Sequence, residues 1–251
     1  MENFIFSKEY TVHVYEAGID EKLNPHSLFN YLQDTASEHA VSLGFGREHL
    51  IRMNSFWILS RIAVDVKRWP SWKEKVIVTT WPRGSERLFA IRDYKVETAK
   101  GEVIASATSS WLIVDITTRR IRRPDKYLPE YSSELTGRNA IGRYAVKLDP
   151  PVFYGSSSLP FNVKCSDLDV NRHTNNAAYI RWITDSYDIE FIDSYPPVKF
   201  EVNYLAESHQ GEEIIIRRAD ISDRIFFHSV FRNSDGTELC RIRVEHEYCR
   251  R

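Results

Sequence analysis

One order of elements runs twice through the 251 residues: a strand, a helix, then four strands. In the first half, residues 4–15 are rich in β-branched and aromatic side chains and read as a strand. Residues 25–43 read as a helix, because Leu28, Leu32, Ala36, His39 and Leu43 recur at three- and four-residue spacing. Asn24 is placed as its N-cap, Pro25 as its first residue and Gly44 as its stop. Strands are expected at 56–67, 75–81, 87–97 and 102–115, separated by turns at 69–71, 82–84 and 99–101.

The second half repeats this order. Residues 159–165 read as a strand and 175–191 as one helix, with Asn176, Ile180, Ile183, Tyr187 and Phe191 on its stripe. Strands follow at 198–206, 212–221, 224–232 and 238–248. In the last, Cys240, Ile242, Val244, His246 and Tyr248 alternate with Arg241, Arg243, Glu245 and Glu247, the pattern of a half-buried antiparallel strand. Asn24-Pro25-His26 echoes Asn171-Arg172-His173, and Trp72 to Val78 parallels His209 to Ile215. Two copies of this size are too few for a solenoid. They suit an α+β chain of two fused domains, each a long helix packed on an antiparallel sheet. The expected domains are 1–140 and 153–251. A proline-marked linker is read within 124–152, with a short helix near 131–135.

Composition narrows the class. With 34 basic and 35 acidic residues the net charge is -1, which advertises neither nucleic acid nor any strongly charged partner. An aromatic share of 13% suits β-rich cores or a cavity for an apolar ligand. Cys165, Cys240 and Cys249 are odd in number and form no C-x-x-C, so reduced thiols in a cytoplasm are expected, without disulfides or a metal ribbon. The first residues match no leader peptide, and no apolar run is long enough to span a membrane. No G-x-G-x-x-G, Walker loop, H-E-x-x-H or G-x-S-x-G occurs. Gly155-Ser156-Ser157-Ser158 reads as a linker turn. Neither a cofactor nor a metal is expected.

The densest polar cluster is Ser166 to Asn176, between a strand and a helix. Helix capping explains one or two of its side chains. It does not require Asp169, Asn171 and His173 at alternate positions. At that spacing the three can converge beside a helix N-terminus, whose N–H groups and partial positive charge suit a developing oxyanion.

Asp167-Leu168-Asp169-Val170-Asn171-x-His173-x-Asn175-Asn176-x-x-Tyr179-Ile180-x-Trp182 resembles the signature of the fatty acyl-ACP thioesterases of plants and bacteria. Leu32 to Ala36, Arg68 to Trp72 and Thr117 to Arg120 are similar to further segments of that family, in order, so the likeness covers nearly the whole chain. It implies two tandem hot-dog domains and hydrolysis of the thioester of fatty acyl-acyl carrier protein, which releases the fatty acid and ends elongation. By position it implies Asp169, Asn171, His173 and Glu207 as catalytic residues. Where the family has Tyr-x-x-Glu-Cys, this chain has Tyr204-Leu205-Ala206-Glu207-Ser208. Ser208 is read as a bystander, since Asn, His and Glu suffice to activate water.

In the first copy Glu21 or Lys22 is aligned with the Asp, and Pro70 with Glu207. That copy is therefore expected to lack catalysis and, by the resemblance, to hold the acyl chain. Trp57 and Trp111 are assigned to that chain, and Asn175 and Asn176 to the reacting group. Arg119, Arg120, Arg122 and Arg123 are read as the docking patch for acyl carrier protein and its phosphopantetheine-linked cargo, against the plainer reading of a solvated strand edge. His209 is a secondary candidate for the site. His13, His39, His49 and His228 are read as structural and Cys165 as a buried apolar residue. The rivals are an acyl-CoA thioesterase of the hot-dog superfamily and a non-catalytic acyl-binding sensor. A homodimer is left open.

Overall fold

A computed structural model describes residues 4–129, 131, 133–153 and 160–248. The chain forms two compact units that divide between Ala145 and Val146. In the first, β1 (Phe6–Thr11) precedes α1 (Pro25–Ser42) and α2 (Arg47–Arg52). Then come β2 (Ser55–Val66), β3 (Lys75–Glu86), β4 (Phe89–Thr98), β5 (Val103–Asp115), β6 (Ile121–Arg122) and α3 (Ser133–Gly137). In the second, β7 (Phe161–Asn162) precedes α4 (Asn176–Thr184) and α5 (Ile189–Ser194). After them come β8 (Pro197–Tyr204), β9 (Glu213–Ser222), β10 (Ile225–Arg232) and β11 (Glu238–His246). The antiparallel order is β1-β3-β4-β5-β2 in one unit and β7-β9-β10-β11-β8 in the other. Each copy therefore repeats the same strand permutation, with its helix between the first and second strand. That is the α+β hot-dog arrangement.

Local chemistry sets the bounds of α1. Pro25 supplies a fixed φ where no intrahelical N–H is needed. Gly44 adopts a φ of 75°, its N–H meets the Val41 carbonyl at 3.0 Å, and the Phe45 N–H meets that of Ala40 at 2.8 Å. This double closure satisfies carbonyls the helix would otherwise leave open. Leu28 and Leu32 are 1% exposed, which contributes roughly 1.5–3 kcal/mol each. Against the same helix, Phe6 stacks on His39 and the Arg92 guanidinium lies 2.9 Å from His39 Nδ1.

Several expectations change. The strand expected at 4–15 ends at Thr11, and Val14–Glu16 form a single 3-10 turn. No turn occurs at 82–84; β3 continues through Pro82 with a bulge before Gly84, whose φ is 109°. The proline is tolerated because β1 pairs with β3 only as far as Thr80, which leaves an edge. The reversal instead falls at Arg87-Leu88, with Glu86 paired to Phe89. The single helix expected at 175–191 is broken. Thr184 Oγ1 and Ser186 Oγ donate to the Ile180 and Ile183 carbonyls at 2.8 and 2.6 Å, and Tyr187 leaves the stripe to reach His228. Of the strand expected at 159–165, the described residues pair at Phe161–Asn162, and Val163 adds backbone bonds to Gly211 and Glu212. Cys165 lies in a 3-10 turn and is exposed, not buried, because the chain has already left the sheet. Tyr248 lies beyond β11 and is exposed. Residues 155–159 and Cys249 lie outside the described residues.

Candidate active site

Residues 167–175 form a tight loop that leads into α4. Leu168 bridges to Thr174, the Asp169 N–H donates to the His173 carbonyl at 2.8 Å, and Arg172 takes a left-handed φ of 65° at the tip. The Asp169 carboxylate holds this turn from inside. Its Oδ1 accepts the N–H groups of Asn171 at 2.8 Å and His173 at 3.2 Å, and its Oδ2 lies 3.3 Å from the Asn171 amide nitrogen. Asp169 thus positions both neighbours. Asp167, 3% exposed, pairs with Arg181 of α4, which ties the loop to the helix. Asn175 is the N-cap of α4, accepting the Ala177 N–H at 3.0 Å, and the Asn176 carbonyl accepts the Tyr204 hydroxyl at 3.1 Å.

The other half of the site comes from the turn after β8. The Ser208 carbonyl accepts the Thr174 N–H at 2.9 Å, which docks this turn on the loop. His173 and Glu207 are each adjacent in sequence to one end of that bond. His173 Nδ1 stands 3.5 Å from Glu207 Oε1, both side chains about one-third exposed. Arg232 Nη2 donates to the Glu207 carbonyl at 2.8 Å while its Nε pairs with Glu212 at 2.9 Å. The His209 ring meets His173 edge-on at 5.0 Å. Arg181 and Arg232 carried no signal in the sequence. Each acts by packing back onto the site from its own element.

The same hydrogen bonds recur in the first unit, which aligns the two copies residue by residue. Gly18 N–H to Lys22 O (2.8 Å), Leu23 N–H to Pro70 O (2.9 Å) and Asn24 N–H to Glu16 O (2.8 Å) match Asp169 to His173 (2.8 Å), Thr174 to Ser208 (2.9 Å) and Asn175 to Asp167 (2.8 Å). Glu21 repeats the left-handed φ of Arg172. Gly18 therefore stands where Asp169 stands, Asp20 for Asn171, Lys22 for His173 and Trp69 for Glu207. This corrects the sequence alignment, which placed Asn24-Pro25-His26 against Asn171-Arg172-His173 and Pro70 against Glu207. Asn24 matches the cap Asn175. Likewise Ser71, not Trp72, matches His209, and Lys22 Nζ donates to Ser71 Oγ at 2.7 Å. The first loop keeps the backbone but carries no carboxylate–imidazole pair.

Residues 3–131 match the model of the acyl-ACP thioesterase N-terminal domain, and residues 154–248 that of the C-terminal domain. The chain belongs to the acyl-ACP thioesterase family. An acyl-ACP thioesterase from Bacteroides thetaiotaomicron superposes with a TM-score of 0.82 at 28% identity, over 98% of this chain and 99% of that one. The 12:0-ACP thioesterase of Umbellularia californica shares the fold, with a TM-score of 0.80 at 23% identity and 99% of each chain covered. Among curated relatives, oleoyl-acyl carrier protein thioesterase 2 of Arabidopsis thaliana is 28% identical over 84% of this chain. The palmitoyl-acyl carrier protein thioesterase of Gossypium hirsutum is 29% identical over 97%. The chain spans 62% and 64% of these two relatives' lengths.

Ser208, which the resemblance aligns with a cysteine, is fully buried in this acyl-ACP thioesterase family member. Its hydroxyl lies 2.7 Å from Thr174 Oγ1 and 2.8 Å from the Tyr179 hydroxyl. Neither neighbour is a base able to activate it, and burial keeps substrate away. In the first unit Trp57 and Trp111 meet edge-on at 6.4 Å, with their indole N–H groups bonded to the Phe45 carbonyl and to Ser109 Oγ. The four arginines divide. Arg122 pairs with Asp115 and donates to the Met53 carbonyl at 3.0 Å; the Asp115 carboxyl is pulled down to about 2, first by the Thr118 N–H and then by Arg122. Arg123 pairs with Asp125 at 2.8 Å. Arg119 and Arg120 lie exposed, Arg119 over the Phe56 ring at 5.4 Å. No helix among the described residues is long and apolar enough to cross a membrane.

Proposed function

We propose that the protein hydrolyses the thioester of fatty acyl-acyl carrier protein, releasing the fatty acid and the free phosphopantetheine thiol. The observation that carries this reading is the His173–Glu207 pair, held by an Asp169-organised loop in a chain of this family. Glu207 is the base that takes a proton from water, directly or through His173, as the water oxygen attacks the thioester carbonyl. Asn171 positions the water or the thioester. The N-terminus of α4, with Asn175 and Asn176, faces the negative charge on the carbonyl oxygen. Collapse breaks the C–S bond, and the proton passes to the departing sulfur. Asp169 acts as a positioning residue, since backbone N–H groups occupy its carboxylate.

The first unit, with Lys22 and Trp69 in place of His173 and Glu207, is assigned to holding the acyl chain along Trp57 and Trp111. Arg119 and Arg120 are the arginines of the docking patch; Arg122 and Arg123 are engaged with their own acids. The test is fatty acid release from acyl carrier proteins of graded chain length, against the same acyl groups on coenzyme A. Glu207→Ala is expected to lower turnover ~10²–10⁴-fold with an unchanged unfolding midpoint. Near-normal turnover in that variant rejects the assignment. Preference for coenzyme A esters transfers it to the acyl-CoA class, and absence of turnover on both supports a binding protein.

A further inference from the structure

His173, Glu207 and His209 bring two imidazoles and a carboxylate together, with one ligand atom from each within 4.8 Å of the others. Hydrolysis as described above uses the first two and leaves His209 without a role. The spacing is informative. At 3.5 Å, His173 Nδ1 and Glu207 Oε1 are farther apart than a good N–H···O bond. Two ligands on a tetrahedral zinc ion, with bonds of about 2.0–2.2 Å, stand about 3.4 Å apart. The His173–Glu207 separation therefore fits one edge of a coordination tetrahedron. The two imidazole rings lie at 72° rather than stacked, so both can turn a nitrogen toward one point. His209 is exposed and the other two are about one-third exposed, so an ion reaches the cluster from solvent. Two His and one carboxylate with an open fourth position is a donor set that suits zinc, and not magnesium, which prefers oxygen ligands.

We propose that His173, Glu207 and His209 form a reversible zinc-binding site that inhibits the enzyme. The bound ion occupies the imidazole lone pair and the carboxylate oxygen that would otherwise accept the proton of the attacking water. The inhibitory half rests on the catalytic reading of His173 and Glu207; the binding half does not.

The experiment has two arms on the full chain. In the first, calorimetry with zinc chloride and visible spectroscopy with cobalt(II) measure binding directly, with magnesium as control. One ion per chain, bands of a low-coordinate cobalt centre and no magnesium binding are expected. His209→Gln should weaken zinc binding at least about tenfold, the scale of lost coordination support. Cys165→Ser should leave it unchanged. In the second arm, zinc should inhibit acyl-ACP hydrolysis and a chelator restore it. In His209→Gln the inhibitory concentration should rise by the same factor as the dissociation constant, each measured against that variant's own metal-free turnover. No stoichiometric zinc binding, unchanged affinity in His209→Gln, loss of binding in Cys165→Ser, or acceleration by zinc each overturns the proposal. A chain that binds zinc through His209 yet hydrolyses no thioester overturns the functional reading and its inhibitory consequence, and leaves the metal site standing.

Discussion

Acidification from pH 7.5 to 5 should strip a large part of the protein's stability through two histidines in the second unit. His228 is fully buried and His246 is 3% exposed. Burial holds the His228 imidazole down to about 3, helped by the Arg218 guanidinium and by His246. Burial likewise holds His246 down to about 4; the Tyr195 carbonyl, 2.8 Å from its Nδ1, opposes this, and Arg218 adds to it. His228 Nε2 lies 2.7 Å from the Tyr187 hydroxyl, while Asp220 is engaged with Arg218 at 2.7 Å. His228 Nδ1 and His246 Nε2 have no hydrogen-bond partner among the described residues, so neither second proton would be received.

The sign follows from which state binds protons. In the unfolded chain both imidazoles protonate near pH 6.5, and in the fold they stay neutral until about 4 and 3. The contribution is therefore fully present above pH 6.5 and declines as pH falls from 6.5 toward the folded values. At ~1.4 kcal/mol per pH unit per group, pH 5 removes about 2 kcal/mol for each, or about 4 kcal/mol together. That is a large share of an ordinary domain's stability. Urea denaturation at pH 7.5, 6.5, 5.5 and 5.0, set against a His228→Gln, His246→Gln double variant, measures it. The variant should start less stable and lose about 4 kcal/mol less over the same range. Equal pH slopes in the two proteins would refute the reasoning.

Three further outcomes follow from the site. Ser208→Ala should keep turnover within a few-fold and lower stability by about 1–2 kcal/mol, since Thr174 and Tyr179 each lose a buried partner; abolished turnover in a folded variant would make Ser208 the nucleophile. Asp169→Ala should cut kcat far more than it raises KM and increase hydrogen exchange at the Asn171 and His173 amides, with Asp169→Asn recovering part of both; unchanged exchange would deny the positioning role. Arg120→Glu should raise KM for acyl carrier protein substrates and not for a small thioester, while Arg122→Glu should lower the melting temperature by facing Asp115 with a second carboxylate. Equal KM effects on both substrates would remove Arg120 from docking.

Much of this molecule is written locally. The 3.6-residue stripe, Pro25 and Gly44 fix α1 to within a residue, because each acts over one helical turn. The strand-like runs and their turn signals place β8 to β11 within about two residues, and the long motif around Asp169 marks the loop proposed as catalytic. Local reading fails where a distant partner decides. Pro82 resembles a turn until the end of the β1 pairing shows that β3 has a free edge there. The helix ends at Asp185, where the Ser186 and Tyr187 N–H groups turn to the Ile183 and Thr184 carbonyls and the Tyr187 side chain reaches His228. Arg122 is indistinguishable from Arg120 in a row of arginines until Asp115 claims it.

The sequence by itself determined that the chain is a duplicated strand–helix–sheet unit with polar chemistry in its second copy. Only the tertiary structure decided which residues correspond. Thr174 follows Leu23 by 151 positions, but Ser208 follows Pro70 by 138, so no single offset aligns both halves of the site. The hydrogen bond between those two segments is the shared ruler. It shows Trp69 where Glu207 stands and Lys22 where His173 stands. The His173–Glu207 pair is a distance between side chains carried on separate segments, and the backbone bond from Thr174 to Ser208 brings those segments together, which neither stretch of sequence does alone.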